Sequence, residues 1–368
     1  MKSILFPGKF ILGKGTLDSF GEYAKPLGKN FLVISSKSVM GKAQDKISKS
    51  FSDTDMTGEY VHFGGECSFS EVKRLAAIGT EKGSDCVVGI GGGKLLDAAK
   101  AAALELKLPV IIIPTIASTD APTSALSVMY TDDGVFESYH WLPANPDVVL
   151  IDTEIVCSAP VRYLVAGMGD AFATYYEARA VRDSGSKTCA ISAHGKQTLS
   201  AFALAELCLK TLLEDGGKAL MAAKVGAITP ALENVIEANI LLSGIGFESG
   251  GLAASHSIHN GLTVLPETHD AYHGEKVAFG VLTQLVLENA PFDEISSVMG
   301  FFVAVGLPVT LEEIGLPNAS EADLRKVAEA ATVEGETIHN EPFEVTADMV
   351  YSAMLAADSM GRNFLETM

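Results

Sequence analysis

The first 160 residues alternate short β-branched runs with helical segments, and this alternation limits the fold more than any other feature. Candidate buried strands, each bounded by Gly, Pro, Ser or Asp, lie at residues 31–35, 59–63, 86–90, 110–113 and 148–152. Strands that alternate with helices form parallel β-α-β units. We therefore expect a parallel sheet covered by helices in this half of the chain.

After Pro160 the apolar spacing changes to three and four residues, which is typical of helices. Segments rich in Ala and Leu lie at residues 161–183, 187–214, 217–246, 271–290, 320–333 and 347–365. Ser320 and Thr346 occupy expected helix N-cap positions. The length of 368 residues fits two domains of roughly 150 residues or more. The sequence predicts an α/β domain at residues 1–160 and a helical domain at residues 161–368.

One stretch breaks the alternation. Two runs at residues 124–130 and 135–141 flank a Gly-containing turn at residues 131–134. This pattern predicts a β-hairpin inserted near the parallel sheet.

The charge balance excludes several kinds of partner. Lys and Arg total 27 and Asp and Glu total 46, which gives a formal net charge of −19. Such a field repels nucleic acids and anionic membranes. Five Cys residues without a C-x-x-C pair suggest neither disulfides nor a thiolate zinc site. No apolar run approaches the ~20 residues that span a bilayer, and Pro7 and Gly8 interrupt any signal-like segment. We expect a cytoplasmic protein.

A glycine-rich loop follows the strand at residues 86–90. Gly91, Gly92 and Gly93 let backbone N–H groups approach an anion, and the following helix N-terminus and Lys94 add positive charge. A diphosphate is the ligand that this loop fits, although the loop matches neither the Walker motif nor the G-x-G-x-x-G fingerprint. The alternative is a turn that only requires glycine. Asp97 in the first helical turn either complements the helix dipole or belongs to the site.

Residues 114–124 follow the next strand and contain five hydroxyl groups and one carboxylate, Asp120. Hydroxyls suit phosphate and ribose oxygens, and a carboxylate can accept hydrogen bonds from substrate hydroxyls. A capped connecting loop is the alternative interpretation.

Four of the eight His residues crowd into 18 positions: His256, His259, His269 and His273. The first two share a helix face, and the last opens the next helix after a turn. Two His with one carboxylate form an established catalytic metal set, for which Asp170 is the candidate carboxylate. The spacing does not decide which His of each pair would bind. Hydrogen-bonded core histidines are the alternative.

Together these motifs resemble a known family closely. Residues 91–94, 114–122, 169–171, 246–254 and 273–280 are similar to motifs of the glycerol dehydrogenases, the zinc-using branch of the iron-containing alcohol dehydrogenase family. The resemblance covers nearly the whole chain. It implies an α/β N-terminal dinucleotide-binding domain (residues 1–160) and an all-α, metal-binding C-terminal domain (residues 161–368), as in dehydroquinate synthase-like proteins.

The resemblance implies that Asp170, His256 and His273 hold the metal. Iron-using relatives carry a further His four residues after the aspartate, where this sequence has Thr174. This difference favours zinc, Zn²⁺, with three protein ligands.

The family pattern also implies that NAD binds the glycine-rich loop, the segment after the next strand and the hairpin. The residues that it implies are Gly93, Lys94, Thr115, Ser118, Ser124, Leu126 and Tyr130. The analysis of the glycine-rich loop adds Gly92 and Asp97. Glycerol dehydrogenases commonly carry an Asp for the adenosine ribose where Ser36 stands here. Because an acid would repel a 2′-phosphate, we expect weakened discrimination against NADP, with NAD still the expected cofactor.

The implied reaction is NAD-linked, zinc-dependent oxidation of glycerol to dihydroxyacetone, or of a related vicinal diol. Zinc would lower the pKa of the substrate hydroxyl, and hydride would pass to the nicotinamide. Asp120 and His256 are the expected catalytic contacts to the small polyol substrate, with Asp120 as an orienting group. The family precedent suggests a homo-oligomer, specifically an octamer.

Two other functions compete. A dehydroquinate synthase-like NAD and zinc lyase shares this fold, but its phosphorylated substrate calls for several basic side chains. Lys276 is the only lysine or arginine within residues 250–280. A metal- and nucleotide-binding protein without catalysis would have a broken site, whereas none of the three ligand positions is substituted.

Overall fold

A computed structural model describes residues 1–36, 40–52, 54–190 and 195–368. Six parallel strands form the main sheet in the order β1-β8-β5-β4-β2-β3, and β6 and β7 form a separate antiparallel hairpin. The strands are β1 (Phe10–Gly13), β2 (Asn30–Ser35), β3 (Thr57–His62), β4 (Cys86–Gly91), β5 (Val110–Pro114), β6 (Leu126–Tyr130), β7 (Phe136–Trp141) and β8 (Val148–Asp152).

The five strands predicted for the parallel sheet and the predicted hairpin are confirmed. The edge strand β1 was not predicted, because its four half-buried residues form too short a run to stand out. The helices of this half are α1 (Phe20–Ala24), α2 (Met40–Ser52), α3 (Phe69–Lys82), α4 (Gly93–Leu106) and α5 (Thr153–Cys157).

From Val161 onward the described chain is mainly helical, which confirms the predicted fold class. The helices are α6 (Val161–Ser184), α7 (Leu199–Lys224), α8 (Pro230–Glu237), α9 (Ser243–Gly250), α10 (Ala254–Leu262), α11 (His273–Leu287), α12 (Phe292–Val305), α13 (Glu321–Ala331) and α14 (Ala347–Thr367). None of the helices in the described ranges is long and apolar enough to cross a membrane.

Two predicted helices have different limits in the structure. The helix predicted over residues 187–214 begins only at Leu199, because extended Thr198 caps it by accepting the N–H of Ala201 at 3.0 Å. The helix predicted over residues 217–246 is interrupted after Lys224, where Gly226 adopts a φ of +67°. The N-caps predicted at residues 320 and 346 are confirmed.

The strands bury side chains on both faces of the sheet. Phe31 and Val33 belong to one apolar core, whereas Leu32 and Ile34 belong to another, because successive strand residues point to opposite faces. The second core continues without interruption into the helical half, as far as Ala357 of α14. The two halves of the chain therefore share one core.

Three glycines, two on α6 and one on α11, bring helix α6 into backbone contact with its neighbours. A Cβ on Gly167 would lie 1.9 Å from the carbonyl oxygen of Ala117, in the loop after β5. A Cβ on Gly274 of α11 would lie 1.7 Å from the carbonyl oxygen of Ala166, and one on Gly169 would lie 2.2 Å from that of Gly274. The absence of side chains sets these elements side by side.

Replacing Gly274 with Ala tests this crossing. Because the new methyl group would overlap a backbone oxygen of α6, we expect Gly274→Ala to lower the free energy of unfolding by about 3 kcal/mol or more. Urea unfolding measures the change. Gly217→Ala on α7 is the matched control, since the added Cβ would have no described atom within 4 Å beyond its chain neighbours and the backbone of its own helix. An unchanged stability for Gly274→Ala would contradict the close crossing.

Candidate active site

Helices α6, α10 and α11 bring together one carboxylate and two imidazoles. The ligand atoms of Asp170, His256 and His273 all lie within 4.8 Å of one another. Asp170 Oδ1 is 3.3 Å from His256 Nε2 and 3.0 Å from His273 Nε2. The close crossing of α6 and α11 therefore places a buried carboxylate between two ring nitrogens.

The donor set fits a divalent metal ion. Asp170 is 1% exposed, and its Oδ2 has no hydrogen-bond partner among the described residues, although a buried carboxylate oxygen normally has one. Burial raises the pKa of Asp170, but the adjacent rings of His273 and His256 outweigh it and hold this pKa well below its usual value. An anionic oxygen without a partner beside two imidazole nitrogens is a ligand set of the kind that zinc and iron prefer.

The other two clustered histidines lie outside this set. His259 Nε2 contacts His273 Nδ1 at 2.9 Å. In the described part of the chain, the ring of exposed His269 has one hydrogen bond, to the carbonyl oxygen of Thr263 at 3.2 Å. Burial, with the nearby charges of His273 and Lys276, holds the pKa of His259 well below its usual value. This environment therefore favours the uncharged form of His259.

A second buried acid on α6, Glu177, supports His256. Glu177 Oε2 is 2.6 Å from His256 Nδ1, and Oε1 accepts the N–H groups of Ala253 at 2.9 Å and of His256 at 3.0 Å. The carboxylate therefore holds the proton of His256 on Nδ1 and leaves Nε2 facing Asp170. Sequence reasoning missed Glu177, although it lies two helical turns after Asp170 on the same face.

Asp120 faces the same cluster from the loop after β5. Its Oδ2 accepts a hydrogen bond from Ser243 Oγ at 2.7 Å, and Ser243 in turn lies 3.0 Å from the hydroxyl of Thr174. Burial and the negative charge of Asp170 raise the pKa of Asp120 well above its usual value. Thr174 is thus part of the packing that orients Asp120. Sequence reasoning missed Ser243.

The glycine-rich loop lies at the carboxyl end of β4, with Gly92 as the N-cap of α4 and Gly93 as its first residue. Lys94 Nζ lies 2.6 Å from Glu66 Oε2 and 4.5 Å from the ring centre of Tyr130. The loop, Lys94 and the hairpin therefore meet at one edge of the sheet. Sequence reasoning missed Glu66, which no motif marks.

Asp97 lies below the loop rather than at its open edge. It is buried, pairs with Lys100 Nζ at 2.9 Å and accepts the N–H of Val128 on β6 at 3.0 Å. These contacts attach the hairpin to α4.

The remaining predicted cofactor residues lie in or beside the segments that follow β2 and β5. Ser36 directly follows β2 and is half-buried. Thr115 is buried, and its N–H donates to the carbonyl oxygen of Gly91 at 3.0 Å. Ser124 is buried, and its hydroxyl donates to the carbonyl oxygen of Ala121 at 3.3 Å. Ser118 and Leu126 are half-buried.

The structure therefore joins a parallel sheet with a glycine-rich loop to a helical half that carries a His₂Asp cluster. Residues 7–153 match the family model described as iron-containing alcohol dehydrogenase. A glycerol dehydrogenase of Escherichia coli O6:H1 is 56% identical and covers 98% of this chain and 97% of that protein. One of Pseudomonas putida is 52% identical and covers 99% of each.

The crystal structure of glycerol dehydrogenase from Schizosaccharomyces pombe superposes with a TM-score of 0.96 at 38% identity, over 100% of this chain and 93% of that one. The chain therefore belongs to the iron-containing alcohol dehydrogenase family, and it is an oxidoreductase. Within that family it groups with the glycerol dehydrogenases.

Replacing Asp97 tests its place in the packing. Because Asp97→Asn would leave the charge of Lys100 buried without its counter-ion, we expect a loss of about 3–5 kcal/mol in the free energy of unfolding. Urea unfolding measures the loss. The double variant Asp97→Asn/Lys100→Met removes both charges and should recover part of the stability. A single variant as stable as the parent protein would show that Asp97 does not anchor α4 to the hairpin.

Proposed function

We propose that this oxidoreductase oxidises glycerol, and related vicinal diols, to the hydroxyketone with NAD as the hydride acceptor and zinc as the metal. Family membership implies NAD and a metal ion as cofactors. Close relatives named glycerol dehydrogenases support glycerol as the polyol. The observation that carries the proposal is the partnerless oxygen of Asp170 beside two histidine nitrogens.

Asp170, His256 and His273 would hold the ion. When bound, it supplies a Lewis acid that lowers the pKa of a substrate hydroxyl. Thr174 supports zinc over iron, because a neutral threonine hydroxyl that already bonds Ser243 offers no fourth strong ligand. Zinc catalytic sites commonly use three protein ligands.

Asp120 would orient the polyol, with His256 forming the opposite wall of the site. Ser243 fixes the Asp120 carboxyl group by donating to Oδ2, so a substrate hydroxyl meets a carboxyl group of defined orientation. Loss of the hydroxyl proton and transfer of the hydride from the same carbon to NAD⁺ give dihydroxyacetone, NADH and a proton.

The backbone of Gly92 and Gly93 at the start of α4 would bind the NAD diphosphate, with Lys94 adding charge. Lys94 pairs with Glu66 in this structure, so the diphosphate would share or replace that partner. Around this loop we place the rest of the dinucleotide on Ser36, Thr115, Ser118, Ser124, Leu126 and Tyr130. Buried Asp97 would support this site by holding the hairpin against α4. Ser36 would face the adenosine ribose.

We also propose a cytoplasmic homo-oligomer, with an octamer as the expected state. The strongly acidic composition supports a protein without nucleic-acid or membrane partners. Native mass measurement tests the assembly, and a monomer would contradict it.

Metal removal tests the reaction. We expect turnover of glycerol and NAD, followed by NADH absorbance, to disappear with a chelator and to return with zinc. His273→Ala removes a proposed ligand and should lower kcat/KM by more than about 100-fold. His269→Ala is the matched control, because its ring is exposed and hydrogen-bonds a backbone oxygen rather than the proposed ligands.

Three outcomes would contradict this proposal in different ways. Turnover that resists the chelator would reject a metal-dependent reaction, and iron in the purified active enzyme would reject zinc. Failure to oxidise any small diol would favour the lyase or a non-catalytic binding protein.

Cofactor preference tests the role of Ser36. Because a serine repels a 2′-phosphate less than an acid does, we expect kcat/KM to favour NAD over NADP by less than about 1000-fold. Ser36→Asp should increase this preference by lowering kcat/KM for NADP. A parent enzyme with a preference above that limit would refute the expectation.

A further inference from the structure

A chain of hydrogen bonds extends from His273 away from the proposed metal. His273 Nδ1 lies 2.9 Å from His259 Nε2, and His259 Nδ1 lies 3.1 Å from Asn260 Oδ1. The two rings meet edge to face, with their centres 4.2 Å apart. His259 therefore contacts the Nδ1 atom of His273, just as Glu177 contacts the Nδ1 atom of His256.

This chain of hydrogen bonds ends at the carboxylate of Glu336. Asn260 Nδ2 lies 3.3 Å from Glu336 Oε1 and 3.1 Å from Oε2. It also lies 3.1 Å from the hydroxyl oxygen of Tyr139, on strand β7 of the hairpin. The carboxylate of Glu336 can only accept hydrogen bonds.

This carboxylate sets the direction of every bond in the chain. Asn260 must present its NH₂ group to Glu336, so its carbonyl oxygen faces His259 and accepts a proton from Nδ1. A histidine that binds a metal through Nε2 keeps its proton on Nδ1, so His273 Nδ1–H donates to the Nε2 lone pair of His259. The only lone pair left on His273 is that of Nε2, which faces Asp170.

We propose that His259, Asn260 and Glu336 are positioning residues that fix the tautomer and ring orientation of His273, so that Nε2 is presented to the metal. This proposal rests on the proposed metal site. Each histidine ligand then has its own carboxylate support: Glu177 contacts His256 directly, and Glu336 acts on His273 through two intermediate groups. Outer partners of this kind are typically worth 10–100-fold in metal affinity.

The affinity of the full-length protein for zinc, measured by competition with a colorimetric chelator at fixed pH, tests the proposal without relying on turnover. His259→Leu removes the acceptor for His273 and should weaken zinc binding by about 10–100-fold. His259→Gln keeps an acceptor oxygen and should restore most of the affinity. Leu and Gln differ in the polar group rather than in bulk, so the contrast separates hydrogen bonding from packing.

Asn260→Leu should weaken zinc binding as His259→Leu does, and the double variant should lose no more than either single variant, because both act through one chain. Tyr139→Phe is the control that keeps Glu336 and should leave the affinity nearly unchanged. Thermal unfolding of each variant shows that the fold is intact.

The outcomes separate this inference from the proposed function. If His273→Ala leaves zinc affinity unchanged, the metal site itself is wrong. If His273→Ala abolishes binding while His259→Leu and Asn260→Leu bind zinc as the parent does, only the positioning chain is wrong. Equal losses for His259→Leu and His259→Gln, or additive losses in the double variant, would also overturn it.

Discussion

Helix α6 contacts both the loop after β5 and helix α11 because Gly167 and Gly169 present bare backbone to them. The contact with the loop sets Asp120 near the cluster, and the contact with α11 sets His273 next to Asp170. A side chain at Gly167 would push α6 away from the loop that carries Asp120, and one at Gly169 would push it away from the helix that carries His273. The site therefore depends on main-chain contact between elements from both halves of the chain.

The electrostatics of the site follow from this crowding. Asp120, Asp170 and Glu177 surround two histidines in a largely buried volume. Buried carboxylates are costly unless they are paired or bound to a cation. Glu177 is satisfied by His256 and two N–H groups, whereas Asp170 keeps an oxygen without a partner in the described structure. The cluster has negative charge in excess, which a divalent cation would offset.

The sequence predicts most of the sheet because buried parallel strands are continuous β-branched runs between breakers, whereas β1 is too short to give that signal. The sequence reveals the histidine cluster, because several histidines lie close together in it. The sequence does not show which histidines are ligands and which support them, because His256 and His259 share one helix face. Only the positions of Asp170 and His273 in the structure separate their roles. Glu177 and Ser243 belong to no motif, so their roles appear only when distant segments are brought together.

The apolar core that runs from Leu32 in the sheet to Ala357 in the last helix has a consequence for how the molecule comes apart. Two architectures usually imply two folding units joined by a hinge. Here neither half can open without exposing the same buried surface, so melting is expected to be cooperative across the whole chain. Rigid-body separation of the two halves would carry the same penalty. Ligand access therefore depends on the parts of the molecule outside that core, above all on the tip of the β6–β7 hairpin.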